Sequence, residues 1–285
     1  MNLKNTRPAI PSLLVLLVFS ALTLIPFSNF AQVKLTAFRN KVEGGYNFWL
    51  HEPDMRSSDS KEPIALILFL HGKSLSGSNL EMVKRYGVLK EVIRGRKLPA
   101  LVLAPQCPRG KSWDPKRIIK VVNFVQKNYN TDINRLYVVG MSLGGYGVLN
   151  FAGAYPNRIA AAVALCGGGN VKDGCKLATI PLWIMHGTAD RAVAFSESQK
   201  IVDAIIKCNK GINLKFDTLE GAGHGEPSRF FSMDALYTWL FLYSKSTFTT
   251  LHDSIKVDHK LFVSKQKKSS KKAKRKTKKS KRRKK

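Results

Sequence analysis

The stretch from Leu136 to Asn150 constrains the fold of this chain more than any other. Leu136-Tyr-Val-Val139 is a strand-like apolar run that leads straight into Gly140-Met-Ser142-Leu-Gly144, and a helix-length segment, Tyr146 to Tyr155, follows. Strand, sharp turn and helix in that order give the G-x-S-x-G spacing a physical meaning. A serine at the tip of so tight a bend projects from the end of its strand, and glycines flank it because side chains there would collide. The N–H groups that open the next helix, Leu143 first, then point at whatever meets the serine, with the helix dipole behind them. The plain alternative is a glycine-rich turn carrying an incidental serine.

The remaining chain alternates strands with helices. Residues Val33–Val42 and Tyr46–His51, around Gly44-Gly45, read as an N-terminal antiparallel hairpin. Ile64–Leu70 is a continuous apolar run, the pattern of a strand buried on both faces of a parallel sheet. A helix is predicted from Asn79 to Arg94, a strand over Ala100–Ala104, and a helix opened by Pro115 and running to Asn128. Past the elbow helix come strands at Ile159–Cys166, Pro181–Met185 and Ile212–Leu219, and helices at Ser196–Cys208 and Pro227–Tyr243. This alternation predicts an α/β domain over residues 32–247, with a mostly parallel central sheet, helices on both faces and no separate lid domain.

In open α/β sheets, sites form at the carboxyl ends of strands. His186-Gly-Thr-Ala-Asp190 follows one late strand and Glu220-Gly-Ala-Gly-His224 follows the next. Ser142, Asp190 and His224 therefore form a candidate set in the Ser…Asp…His order of the α/β-hydrolase fold. His224 would take the serine proton and pass it to a leaving group, while Asp190 would hold the imidazole tautomer. The competing readings are a helix-capping turn residue for Asp190 and a surface loop residue for His224. His186, directly at its strand end, reads as part of a structural turn. A second oxyanion donor is expected after the Ile64–Leu70 strand, from the Lys73 or the Ser74 N–H.

Several pieces together resemble one family: Phe69-Leu-His-Gly72, Ala104-Pro-Gln-Cys-Pro108, Ser112-Trp113, Gly140-Met-Ser-Leu-Gly-Gly-Tyr-Gly147, His186-Gly-Thr-Ala-Asp190 and Gly223-His224. Residues 34–245 are similar to the dienelactone-hydrolase-like, phospholipase/carboxylesterase-type branch of the α/β hydrolases. The resemblance implies Ser142 as nucleophile, Asp190 as acid, His224 as base, and the N–H groups of Lys73 and Leu143 as oxyanion donors. It implies ester hydrolysis with no cofactor, in a branch that includes esterases acting on plant-polysaccharide esters and predicted peptidases. The loop after His71-Gly72 and the Gly225-Glu226 pair depart from the pattern expected there.

Charge and cysteines bear on setting and partners. The net charge is +29, and residues 265–285 alone carry 15 Lys or Arg with no acid, leaving +14 for the rest. Residues 264–285 read as a disordered basic tail and 248–263 as a short appendage. Residues 1–31 read as a secretory signal: Lys4 and Arg7 precede an apolar run from Leu13 to Ile25, and Ala31-Gln32 is a plausible cleavage point. An uncleaved anchor is the competing reading. Export would put the cysteines in an oxidising space. Cys166 and Cys175, flanking the loop Gly167–Gly174, are the expected pair, although sequence does not fix connectivity. No cysteine or histidine spacing suggests zinc. Arg109 and Lys111, with Trp113, are expected at the mouth of the site, where they would favour an anionic or phenolic-sugar ester; solvated surface charge is the plain alternative. The main expectation is a secreted serine esterase. A serine peptidase using the same residues is one alternative. Another is an envelope protein that binds anionic glycans or lipid headgroups through its tail by counterion release. Nucleic acid is not an expected partner, since the tail has no aromatic residue to stack on bases.

Overall fold

The computed structural model describes residues 33–54, 62–208 and 214–246. The leader, the appendage and the basic tail read from the sequence lie outside these described residues. Eight strands form one sheet in the order β1-β2-β4-β3-β5-β6-β7-β8. They are β1 (Lys34–Phe38), β2 (Phe48–Glu52), β3 (Ile64–Leu70), β4 (Ala100–Pro105), β5 (Thr131–Met141), β6 (Ala161–Leu165), β7 (Leu182–Gly187) and β8 (Leu214–Leu219). β1 and β2 make the N-terminal hairpin, with Phe38 opposite Phe48, and β2 continues antiparallel onto β4. The other neighbours run parallel.

The alternation of β3 divides the core in two. Ala65, Ile67 and Phe69 point to one face, where they meet helix α1 (Val88–Ile93) and the last helix. Leu66, Leu68 and Leu70 point to the other, against α2 (Pro115–Asn128), α3 (Leu143–Ala154) and α5 (Phe195–Lys207). A continuous apolar run is what a strand covered on both sides requires. Each such leucine contributes roughly 1.5–3 kcal/mol by leaving water. Between β6 and β7 the chain adds the one-turn helix α4 (Gly174–Leu177), and α6 (Asp234–Phe241) is the last helix among the described residues.

The chain leaves β3 for β4 on one side and returns to β5 on the other. The carboxyl ends of β3 and β5 thus border a crevice, the place where open α/β sheets bind ligands. Gly72 follows the first strand and Ser142 the second.

Two predicted helices are broken. The segment expected as one helix over Asn79–Arg94 is a 3₁₀ turn, Leu80–Arg85, followed by α1. Gly87 interrupts it with φ 82° and ψ −165°, and a methyl there would fall 2.0 Å from the Phe69 ring. The segment expected as one helix over Pro227–Tyr243 is a 3₁₀ stretch, Glu226–Ser232, and then α6. Met233 is extended between them, so Phe230 packs on Trp183 while Phe231 meets Phe69.

The disulfide also differs from expectation. Cys175 pairs with Cys208, not with Cys166, and ties α4 to the end of α5 with a Cα–Cα distance of 5.2 Å. Cys166 is free and buried. It ends β6 at the sheet edge, its N–H bound to the Met185 carbonyl, and its thiol faces the His224 carbonyl at 3.8 Å. Cys175 lies on the neighbouring α4, whose side chain meets the α5 terminus instead.

Candidate active site

Ser142 sits between β5 and α3 with φ 59° and ψ −122°, a conformation few non-glycine residues adopt. Neighbouring contacts hold it there. The Ser142 N–H donates to the Leu165 carbonyl at 2.8 Å, and α3 starts at the next residue. Gly144 lets the helix approach β3, because a methyl on it would lie 1.9 Å from the Leu70 carbonyl oxygen.

Two hydrogen bonds join the three residues that the sequence places after three separate strands. His224 Nε2 lies 2.9 Å from Ser142 Oγ, and His224 Nδ1 lies 2.7 Å from Asp190 Oδ2. The ionised carboxylate only accepts, so Nδ1 carries the proton and Nε2 is left to accept from the serine hydroxyl. Asp190 Oδ1 accepts from the N–H groups of Ala192 and Val193 at 2.8 and 2.9 Å. Asp190 thus closes a turn with one oxygen and meets His224 with the other; the N-cap of α5 is Ala194, so Asp190 does not cap that helix. Burial pushes the Asp190 carboxyl upward, but the Val193 N–H, the His224 ring and the Ala192 N–H outweigh it and hold it below the usual value.

His186 is buried at the end of β7. Its Nδ1 is 2.7 Å from Ser198 Oγ, and its Nε2 lies 3.1 Å from the Val193 carbonyl and 3.3 Å from Asp190 Oδ2. Ligand atoms of Cys166, His186 and Asp190 lie within 4.8 Å of one another. A metal there would need the Cys166 thiolate, and burial and the nearby Asp190 carboxylate both raise that thiol's pKa. The Asp190 and His186 donors are already engaged with protein partners. The cluster is packed as a support beneath Asp190.

The turn after β3 is held from three sides. His71 accepts the Cys107 N–H at Nε2, 3.1 Å, and its Nδ1 lies 2.7 Å from the Gly72 carbonyl. Trp113 Nε1 donates to the His71 carbonyl at 3.1 Å. The Gly72 N–H donates to the Tyr86 hydroxyl. Lys73 then opens a 3₁₀ turn, Lys73–Leu75. Among the described residues, neither the Lys73 N–H nor the Leu143 N–H has a backbone acceptor.

Trp113 is not at the mouth of this site. It is 4% exposed, edge-on to His71 and Tyr46, and its ring would touch a methyl placed on Gly147 of α3. A loop tryptophan was expected to face substrate; its indole N–H instead finds a buried carbonyl, which places the ring in the core. Arg109 is exposed and, with Ser74, Ser76, Asn79 and Met82, lines an open cleft of about 590 Å³ beside the Lys73 turn. Gln106 Nε2 fixes the wall of this cleft by donating to the Leu75 and Asn79 carbonyls at 3.0 and 2.7 Å. Tyr86, Gln106, Cys107 and Cys166 support the site in ways the sequence did not show: Gln106 and Cys107 stood there only within Ala104-Pro-Gln-Cys-Pro108 and Cys166 only as an expected disulfide partner. Tyr86 left no mark but the glycine that follows it within a helical pattern.

Sheet order, elbow and the Ser142–His224–Asp190 arrangement define the α/β-hydrolase class. Within it, residues 111–234 match the dienelactone hydrolase family. The chain is 25% identical over 149 residues to a bifunctional acetylxylan esterase/xylanase of Neocallimastix patriciarum, a match covering 40% of this chain and 22% of that protein. Among solved structures, a thermostable esterase superposes with a TM-score of 0.61 at 25% identity, over 74% of this chain and 63% of that one. A ferulic acid esterase shares the fold at 15% identity and a TM-score of 0.54, over 73% of this chain and 96% of its own. The chain thus spans about a fifth of the curated relative and under two thirds of the thermostable esterase.

Proposed function

We propose that this chain is a serine hydrolase that cleaves carboxylic esters through an acyl-enzyme on Ser142. The observation that carries the reading is the pair of hydrogen bonds from Ser142 through His224 to Asp190, at 2.9 and 2.7 Å, next to two N–H groups without a backbone acceptor. Ser142 Oγ bonds to the ester carbonyl carbon, the carbonyl π pair moves to oxygen, and the serine proton passes to His224 Nε2. The oxyanion rests on the Lys73 and Leu143 N–H groups. Collapse breaks the bond to the alcohol oxygen, which takes the proton from His224. Water then attacks the acyl carbon, giving its proton to His224, and acid leaves as Ser142 is reprotonated. The depressed pKa of Asp190 keeps it ionised, so it can stabilise the imidazolium at each step.

Covalent labelling with a fluorophosphonate tests this. Wild type should label and Ser142→Ala should not; correctly folded wild type that stays unlabelled would overturn the reading. Within esters, we favour acetyl or feruloyl groups carried on carbohydrate. Support comes from the acetylxylan esterase match and from the hydroxyl- and amide-rich cleft with Arg109 at its edge. Acetyl and feruloyl esters of sugars should turn over faster than the same acyl groups on simple alcohols, and Arg109→Ala should slow anionic sugar esters more than neutral ones. Equal rates on sugar esters and simple alkyl esters would sink the carbohydrate assignment. A matched ester and anilide pair separates the esterase from the peptidase alternative.

The leader-like residues 1–31 and the Cys175–Cys208 bridge support an exported enzyme, since such bridges persist in oxidising compartments.

A further inference from the structure

We propose that the Tyr86 hydroxyl is a third donor to the oxyanion formed at Ser142, beside the Lys73 and Leu143 N–H groups; this rests on the hydrolase reading above. Position is the first ground. A methyl placed on Gly72 would lie 2.8 Å from the Tyr86 hydroxyl oxygen and 3.3 Å from Ser142 Cβ. The phenol and the serine therefore border the same point, between the ends of β3 and β5.

Donor accounting is the second. The Gly72 N–H is spent on the Tyr86 oxygen and cannot serve an oxyanion. The phenol oxygen accepts that bond, and its own hydrogen remains to be donated. Accepting a hydrogen bond also strengthens the O–H as a donor, because linked bonds polarise one another. The Ser74 hydroxyl is hydrogen-bonded with the phenol. The substrate's carbonyl oxygen, once it carries the negative charge, is a stronger acceptor than that neutral hydroxyl.

The third ground is preorganisation. The Tyr86 ring sits edge-on to Phe69 at 5.9 Å and tilted against Phe231 at 6.1 Å. The helix break at Gly87 turns the side chain back toward Gly72. A donor fixed before the reaction needs no reorganisation when charge develops, which is what makes such donors effective. Burial pushes the phenol up to about 12, so it stays protonated across the working range. Tyr86 keeps its proton throughout; the only proton that moves is the one exchanged between Ser142, His224 and the leaving group or water.

The test uses the full chain and 4-nitrophenyl acetate. Tyr86→Phe keeps the ring packing and should lower kcat about 100-fold with little change in KM, the size expected for one oxyanion donor. Tyr86→Phe also removes the acceptor for the Gly72 N–H, so a second substitution isolates donation. A fluorinated tyrosine at position 86 has a more acidic phenol. Its ionised form still accepts from Gly72 but cannot donate to an oxyanion. Donation predicts that fluorination brings an alkaline limb of kcat into range, tracking the phenol pKa. A flat alkaline profile in the fluorinated protein, or a Tyr86→Phe kcat within twofold of wild type, overturns the proposal while leaving Ser142 labelling intact. A wild type that neither labels nor hydrolyses overturns the hydrolase reading and this role with it.

Discussion

At His71 the fold requires a neutral imidazole. Nε2 accepts the Cys107 N–H, Nδ1 faces the Gly72 carbonyl, and burial lowers the pKa to about 4. An unfolded histidine titrates near ~6.5. Between these values the unfolded chain binds the proton that the folded chain refuses, so stability is fully present above ~6.5 and falls as pH drops toward 4. At about 1.4 kcal/mol per pKa unit, the loss is about 3 kcal/mol, with none further below pH 4. Burial lowers His51 and His186 as well, so they add slope of the same sign. Urea unfolding of wild type and His71→Asn at pH 7 and pH 4 isolates the His71 share. Equal losses in the two proteins would remove His71 as the cause. At this scale Ser142, Asp190 and His224 were legible because each follows its own strand, and strand ends converge on one edge whatever the loops do. The residues behind them were not. Tyr86 reaches Gly72 across 14 positions and Cys166 reaches the His224 carbonyl across 58, and no local pattern encodes those meetings.

Elements follow the same division. β3 and β4 were legible as unbroken apolar runs, and α2 from Pro115; the structure adds Asp114 as the cap of α2, its carboxylate accepting the Lys116 N–H at 2.8 Å. The break in the Asn79–Arg94 segment does leave a trace: Leu80 and Val83, and Leu89 and Val92, each keep a three-residue helical step and all four are buried, but the six-residue step between the pairs would put them on opposite sides of one continuous helix. What decides the break is tertiary: the Phe69 ring occupies the space a side chain at 87 would need. The backbone at Gly87, φ 82° and ψ −165°, also lies in a region essentially reserved for glycine. Gly87→Ala should therefore cost about 3 kcal/mol or more, combining backbone strain with overpacking. If Tyr86 serves Ser142 as proposed, the same substitution should slow kcat beyond what partial unfolding explains. An alanine variant as stable as wild type by urea unfolding would mean that the break is set elsewhere.

For the whole molecule, the question is what holds the domain together and what its charge offers a partner. The Cys175–Cys208 bridge closes a loop of 33 residues' separation, worth about 3–4 kcal/mol in the loop-entropy account. The double change Cys175→Ser and Cys208→Ser should lower stability by about that amount, whereas Cys166→Ser leaves the bridge intact. Unchanged stability of the double variant, with the oxidised wild type as reference, would show that the bridge is incidental. Placement is a matter of charge. The 15 Lys and Arg of residues 265–285 sit on a segment with no apolar residue but Ala273, so it has nothing to bury and every charge to offer a polyanion. Near an anionic surface each such charge contributes about 1 kcal/mol at low salt, and a Debye length of ~8 Å at physiological salt weakens it. We infer a salt-reversible tether to anionic glycan or lipid, separate from the chemistry at Ser142. Binding to vesicles of phosphatidylglycerol and phosphatidylcholine should fall steeply with salt, and truncation after Val263 should abolish it while 4-nitrophenyl acetate turnover stays unchanged. The domain itself is basic, so its surface is the competing source of attraction. A truncated protein that still binds with the same salt slope would assign the attraction to the domain and end the tether proposal.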